Sequence, residues 1–215
     1  MLLAIVALSI VTTRVVIAAV HAATMPPAEA LQLLLEGNKR FVAGKLERPN
    51  QTPERRAEVA KGQQPFAAVL ACSDSRTPPE IIFDRGLGDI FTVRVAGNVA
   101  DKVVIESLDY SVKHLGVRVV MVLGHRRCGA VIAAVAGHED EGDVGPMLSE
   151  LRPAVEASKG KAGDPVENAV RENVKLVMKN LATSEELSAM VKSGELKIIG
   201  GIYDLDTGAI EMLTN

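Results

Sequence analysis

Phe66-Ala-Ala-Val-Leu-Ala-Cys72 is an unbroken apolar run that gives way, within one residue, to Ser73-Asp74-Ser75-Arg76-Thr77-Pro78-Pro79-Glu80. A run of strand length with no polar alternation predicts a strand buried on both faces. Two further strand-like runs follow at 90–95 and 117–123, and between them residues 101–114 place Val104, Ile105, Leu108 and Val112, with Leu115 just beyond, on one helical face. Strand, helix and strand in succession predict an α/β fold with a mainly parallel central β-sheet flanked by helices.

Working outward, Ala30, Leu31, Leu34, Leu35 and Phe41 recur at near-helical spacing over 28–42, after Pro26 and Pro27. A polar stretch with a short helix at about 53–61 leads into the first strand. Beyond Gly124 the sequence predicts a helix over 127–136, an acid- and glycine-rich surface loop over 137–145, and helices near 146–158 and 164–181. In the last of these Asp164 can cap and Pro165 suits the first helical position. Thr183 with Glu186 has the form of a capping box for a short final helix. Runs 197–203 and 209–213 bracket Asp204-Leu-Asp-Thr-Gly208 as a terminal hairpin.

With 215 residues, 47% of them hydrophobic, the chain can bury one substantial core, and residues 25–215 are expected to form a single domain. The net charge of −3, with Lys and Arg scattered, leaves no electrostatic footprint for nucleic acid and points to a small-molecule partner. Tryptophan is absent and aromatics are sparse, so the core must be aliphatic. Residues 1–24 are of a different kind. Apolar runs Leu2 to Val11 and Val15 to Val20 flank Thr12, Thr13 and Arg14, and Val20-His21-Ala22 suits a signal peptidase. This segment reads as a signal peptide or leader, which implies a periplasmic or secreted protein. An uncleaved membrane anchor and a cytoplasmic protein starting at Met25 are the alternatives.

The chemistry concentrates at two strand ends, where α/β sheets carry their sites. If the chain stays extended past Cys72, the thiol, the Asp74 carboxylate and the Arg76 guanidinium project to one side. The second stretch, Gly124-His125-Arg126-Arg127-Cys128-Gly129, sets His125 and Cys128 three apart, where helical spacing lets both face one point and a helix N-terminus favours a thiolate at Cys128. Cys72 and Cys128, the only cysteines, can be read as a disulfide, a metal site or two buried apolar residues. Two sulfurs, an imidazole and a carboxylate form a ligand set suited to tetrahedral zinc, and the metal site is the favoured reading.

The paired motifs CSDSR (72–76) and GHRRCGA (124–130) resemble the signature of the β-class carbonic anhydrases. The similarity extends from about Ala28 to the C-terminus and includes FTVRVAGN (91–98) and YDLDTG (203–208). The resemblance implies Zn2+ on Cys72, His125 and Cys128, with Asp74 and Arg76 as a catalytic dyad, Asp74 being a fourth zinc ligand in the closed form of some members. It implies reversible hydration of carbon dioxide to bicarbonate and a proton through a zinc-bound hydroxide. Gln63, Phe91 and Tyr110 would line the substrate pocket, several reaching in from a neighbouring subunit, and Gly129 would lie close to the substrate. A homodimer or homotetramer is expected, because the family's N-terminal helix usually lies across a partner and the apolar face of 28–42 gives it reason to do so. Hydroxide supply by zinc is what a weak electrophile such as carbon dioxide requires at neutral pH. Two thiolates weaken zinc as a Lewis acid, so a carboxylate that orients the bound water gains importance. Carbon disulfide or carbonyl sulfide hydrolysis on the same site is the nearest rival, and a non-catalytic zinc-stabilised oligomer the more distant one. Retention of Asp74 and Arg76 argues against the latter. Arg126 and Arg127 read as solvated charge, and His114 and His138 receive no role.

Overall fold

The computed structural model describes residues 25–137, 145–185 and 187–213. The readings that fall on 1–24, on most of the 137–145 loop with His138, and on Glu186 lie outside these residues. Within them, no helix is long and apolar enough to cross a membrane.

One five-stranded sheet organises the described chain, in the order β2-β1-β3-β4-β5. Its strands are β1 (Ala67–Ala71), β2 (Ile90–Arg94), β3 (Val119–His125), β4 (Lys197–Tyr203) and β5 (Ile210–Leu213). The β1–β2, β1–β3 and β3–β4 pairs are parallel, and the β4–β5 hairpin is antiparallel. The apolar run that sets the fold forms β1, between two neighbours, and every residue of that strand is buried.

Because successive strand side chains alternate between faces, β1 and β3 feed two separate cores. Ala68, Leu70, Cys72, Val120 and Val122 face one side, and Ala67, Val69, Ala71, Val119, Met121 and Leu123 face the other. The first face is covered by α4 (Lys102–Leu115), α5 (Gly129–Val135), α7 (Arg152–Ser158) and α8 (Pro165–Thr183). The second is covered by α1 (Pro27–Val42) and the short α3 (Pro79–Ile82), whose Ala30, Leu34 and Ile82 are fully buried. Ala30 and Leu34 of α1 are spent on its own sheet, while Leu35 stays half-buried and Val42 is 47% exposed.

The caps follow the sequence closely. Asp101 accepts from the Val104 N–H at 2.8 Å to start α4, and Asp164 accepts from the Glu167 N–H at 2.9 Å to start α8. Thr52 does the same for α2 (Pro53–Val59). Three expectations are corrected. The helix expected over 146–158 is two, α6 (Gly145–Ser149) and α7, because Pro153 lacks the N–H that would continue the ladder. The hydroxyl serving the last helix, α9 (Ser188–Ser193), is that of Ser184, which accepts from the Leu187 N–H, while Thr183 ends α8 and bonds backward to Lys179 and Asn180. Strand β3 runs two residues past Leu123, which makes His125 a strand residue.

Candidate metal centre

Cys72 follows the last residue of β1 and is 5% exposed. The chain then leaves the extended path: the Thr77 N–H donates to the Asp74 carbonyl in a tight turn. The Thr77 hydroxyl lies 3.2 Å from the Cys72 carbonyl and 3.0 Å from that of Asp74, and Arg94 on β2 donates to the same two carbonyls, Nε to Cys72 at 3.0 Å and Nη2 to Asp74 at 2.6 Å. Thiol, carboxylate and guanidinium do converge, through this clamped turn and not through strand alternation.

His125 ends β3, paired in register with Tyr203 of β4, and its ring is buried at 1% exposure. The chain reverses at Arg127, whose φ of 52° lies in the left-handed region, and Cys128 arrives as the N-cap of α5. The three-residue spacing of His125 and Cys128 is thus that of a turn between strand and helix. Both arginines of the turn are tied to acids: Arg127 forks onto Asp206 with two contacts of 2.8 Å and donates its N–H to Glu167, while Arg126 lies 3.3 Å from Asp204. Both side chains stay solvent-exposed, so they remain solvated charge held in surface ion pairs.

Cys72, His125 and Cys128, all buried, bring one ligand atom each within 4.8 Å of one another and could hold a metal ion. Two sulfurs placed tetrahedrally at about 2.3 Å from one ion stand about 3.8 Å apart. Here the Sγ–Sγ distance is 3.9 Å and both cysteines are free, a separation that matches shared ligation and is far from a disulfide bond of about 2.05 Å. His125 Nδ1–H donates to the Arg126 carbonyl at 2.9 Å, which leaves Nε2 as the unprotonated nitrogen. That atom is buried without a hydrogen-bond partner. A buried lone pair facing two sulfurs is what a divalent ion would satisfy.

The thiols titrate as a pair. A hydrogen bond from Cys128 holds the Cys72 thiol down against the opposing effect of burial, with help from the Asp74 and Gly97 N–H groups. The Cys72 thiolate and burial push Cys128 up, although the N–H groups of α5 work the other way. The two sulfurs, 3.9 Å apart, share one charge between them: the Asp74 and Gly97 N–H groups favour it on Cys72, and the Ala130 and Val131 N–H groups at the start of α5 favour it on Cys128.

Asp74 is gripped by Arg76, and this pairing, against a smaller cost of burial, holds its carboxyl well below the usual carboxylate range. Its Oδ2 lies 3.8 Å from His125 Nε2, so it sits beside the three ligand atoms and is not grouped with them. Gly129 opens α5 next to Cys128 with nothing within 4 Å of where a Cβ would be. Phe91 and Tyr110 meet each other, ring centroids 6.3 Å apart, and Tyr110 also meets His114 at 5.1 Å. Tyr110 is 47% exposed, Gln63 is exposed on the loop before β1, and no hydrogen bond links Gln63 to the cluster among the described residues. Arg94 and Thr77, which shape the dyad turn, carried no signal beyond the strand and the hydroxyl-Pro-Pro sequence in which they stand.

The chain is similar to known proteins in sequence and fold. The family profile described as carbonic anhydrase matches residues 67–210. Carbonic anhydrase 2 of Mycobacterium tuberculosis is 40% identical over 190 residues, 85% of this chain and 90% of its own. The β-carbonic anhydrase CafA of Aspergillus fumigatus superposes with a TM-score of 0.67 at 33% identity, covering 85% and 90% of the two chains. The Coccomyxa β-carbonic anhydrase, solved in complex with acetazolamide, gives 0.70 at 27% identity, covering 86% of each.

Proposed function

The chain belongs to the carbonic anhydrase family, in its β class, and on that premise we propose that it is a zinc lyase that interconverts carbon dioxide and bicarbonate at Cys72, His125 and Cys128. The observation that carries the reading is the pair of sulfurs 3.9 Å apart with the unpartnered His125 Nε2 buried beside them. A zinc ion bound there would lower the pKa of a coordinated water, the nucleophile this reaction needs at neutral pH.

The remaining work falls to the protein. Arg76 keeps Asp74 ionised and oriented. Asp74 can then accept a hydrogen bond from the attacking water and fix which lone pair faces the substrate. Arg94 and Thr77 hold the carbonyls on either side of this turn, so the carboxylate cannot drift relative to Cys72. Gly129 leaves room beside Cys128 for a small linear substrate. Phe91, Tyr110 and Gln63 complete the pocket in this reading as a second subunit is added, in a homodimer or homotetramer.

Stopped-flow hydration of carbon dioxide, run with metal analysis before and after chelation, tests the function. One zinc per chain with activity lost and restored in step is the expected result. Sulfide release from carbon disulfide or carbonyl sulfide without hydration activity would replace it with the hydrolase reading. Residues 1–24 are proposed as a leader directing the protein to the periplasm, on their apolar runs alone, and the intact mass of the mature protein checks this.

A further inference from the structure

Two backbone N–H groups point at the Cys72 sulfur, that of Asp74 at 3.4 Å and that of Gly97 at 3.2 Å. Gly97 belongs to the 3-10 turn Ala96–Asn98 that follows β2, with φ at 68°, where a side chain is disfavoured. A Cβ would also stand 3.1 Å and 3.3 Å from the methyl groups of Leu151. The turn is fixed from the far side as well. Asn173, in the middle of α8 and 3% exposed, donates from Nδ2 to the Gly97 carbonyl at 2.8 Å, across 76 residues of sequence. Val170, Val174 and Val177 surround it on the buried face of that helix. An asparagine is a poor helix former and an awkward core residue, so its place there needs a partner such as this carbonyl.

Resting on the metal centre proposed above, we propose that Asn173 is a positioning residue that, through Gly97, sets the hydrogen bond received by the Cys72 ligand sulfur. Hydrogen bonds to a thiolate withdraw charge from sulfur and orient it, and such outer contacts tune metal affinity. Without the amide, the Gly97 carbonyl loses its partner, the turn relaxes, and the N–H swings off the sulfur.

The test uses the full chain loaded with Co2+, whose sulfur-to-cobalt charge-transfer band reports on the thiolates, together with a competitive zinc titration. Asn173→Leu should shift the band and weaken zinc binding about tenfold or more. Val177→Ala, buried on the same helix, should lower the melting temperature while leaving band and affinity as in the wild type. If Asn173→Leu keeps the wild-type band and affinity, Asn173 only tethers α8 and the inference fails. Should that variant not fold, Asn173→Asp keeps the shape and removes the amide donor, and the same two readouts decide. A wild-type protein with no thiolate band would overturn the metal centre, and this inference with it.

Discussion

Arg76 holds Asp74 by two parallel hydrogen bonds, Nε to Oδ1 at 2.9 Å and Nη2 to Oδ2 at 2.7 Å, within the four-residue turn Asp74 to Thr77. A fork of this kind fixes the plane of the carboxylate as well as its charge. Asp74→Ala is expected to fold and to keep one zinc per chain while losing roughly 10²–10⁴ in kcat/KM. Arg76→Lys retains the charge without the fork and should lose about 10–100-fold. Metal analysis and stopped-flow rates check both, and unchanged turnover in Asp74→Ala would remove the pair from the mechanism.

The three ligand positions should behave as one unit in metal binding. His125→Ala, Cys72→Ser and Cys128→Ser are each expected to come out of purification with well under one zinc per chain and to be inactive. Chelation of the wild type should lower its melting temperature, since an ion bound only by the folded state stabilises that state. A variant retaining stoichiometric zinc would exclude its residue from the ligand set.

Arg94 reaches from β2 to the carbonyls of Cys72 and Asp74, one on each side of the step from ligand to carboxylate. Arg94→Met keeps the aliphatic stem and removes both donors. Zinc content should be retained and kcat should fall by about tenfold or more, because misplacement of the order of 1 Å is costly to oriented groups. A loss confined to KM would show that Arg94 acts on substrate and not on the turn.

The parts of this site that were legible from sequence are those encoded locally. Phe66 to Cys72 announces a doubly buried strand because no polar residue interrupts it, and Cys72 and His125 stand at strand ends where polarity returns at once. What was not legible depends on distant contacts. Nothing near Asn173 in sequence marks it, because its partner Gly97 is 76 residues away. The sharing of one charge between two sulfurs depends on a contact across 56 residues, whereas the sequence offers only the nearby helix start at Cys128. The extension of β3 through His125 comes from its pairing with Tyr203, a partner that hydrophobic patterning cannot supply.

Asp84 is 1% exposed and takes hydrogen bonds from Arg40 Nε at 2.6 Å and from the N–H groups of Glu47 and Arg48. Burial by itself would push its carboxyl up, but Arg40 and the two N–H groups together outweigh burial and hold it below the usual value. A folded-state pKa below the unfolded one contributes stability that is complete above the unfolded value of about 4 and is lost as pH falls through the folded value. Asp84→Asn tolerates the same φ of 47° and should cost roughly 2–4 kcal/mol at neutral pH. Urea unfolding from pH 7 down to pH 3 should show the gap between variant and wild type narrowing below about pH 4. A constant gap would mean that the charge is not what the site uses.

Asn38, buried in α1, joins the first described helix to the last hairpin. Its Nδ2 donates to the Gly208 carbonyl at 2.9 Å and lies 3.3 Å from that of Ile82, and its Oδ1 accepts from the Ile210 N–H at 3.2 Å. Asn38→Leu fills the space with apolar atoms but strands two carbonyls and an N–H, so a loss of about 2–4 kcal/mol is expected. For a chain of this length that is on the order of 5–15 °C in melting temperature. Asn38→Asp keeps the acceptor for Ile210 but sets a buried carboxylate against the Gly208 and Ile82 carbonyls, and should cost at least as much. Hydrogen exchange separates this tether from general packing: the Ile210 amide should lose protection in Asn38→Leu and keep most of it in Asn38→Asp. Equal protection in both variants would show that β5 is held by its pairing with β4 alone, and that Asn38 stabilises α1 without fastening the hairpin.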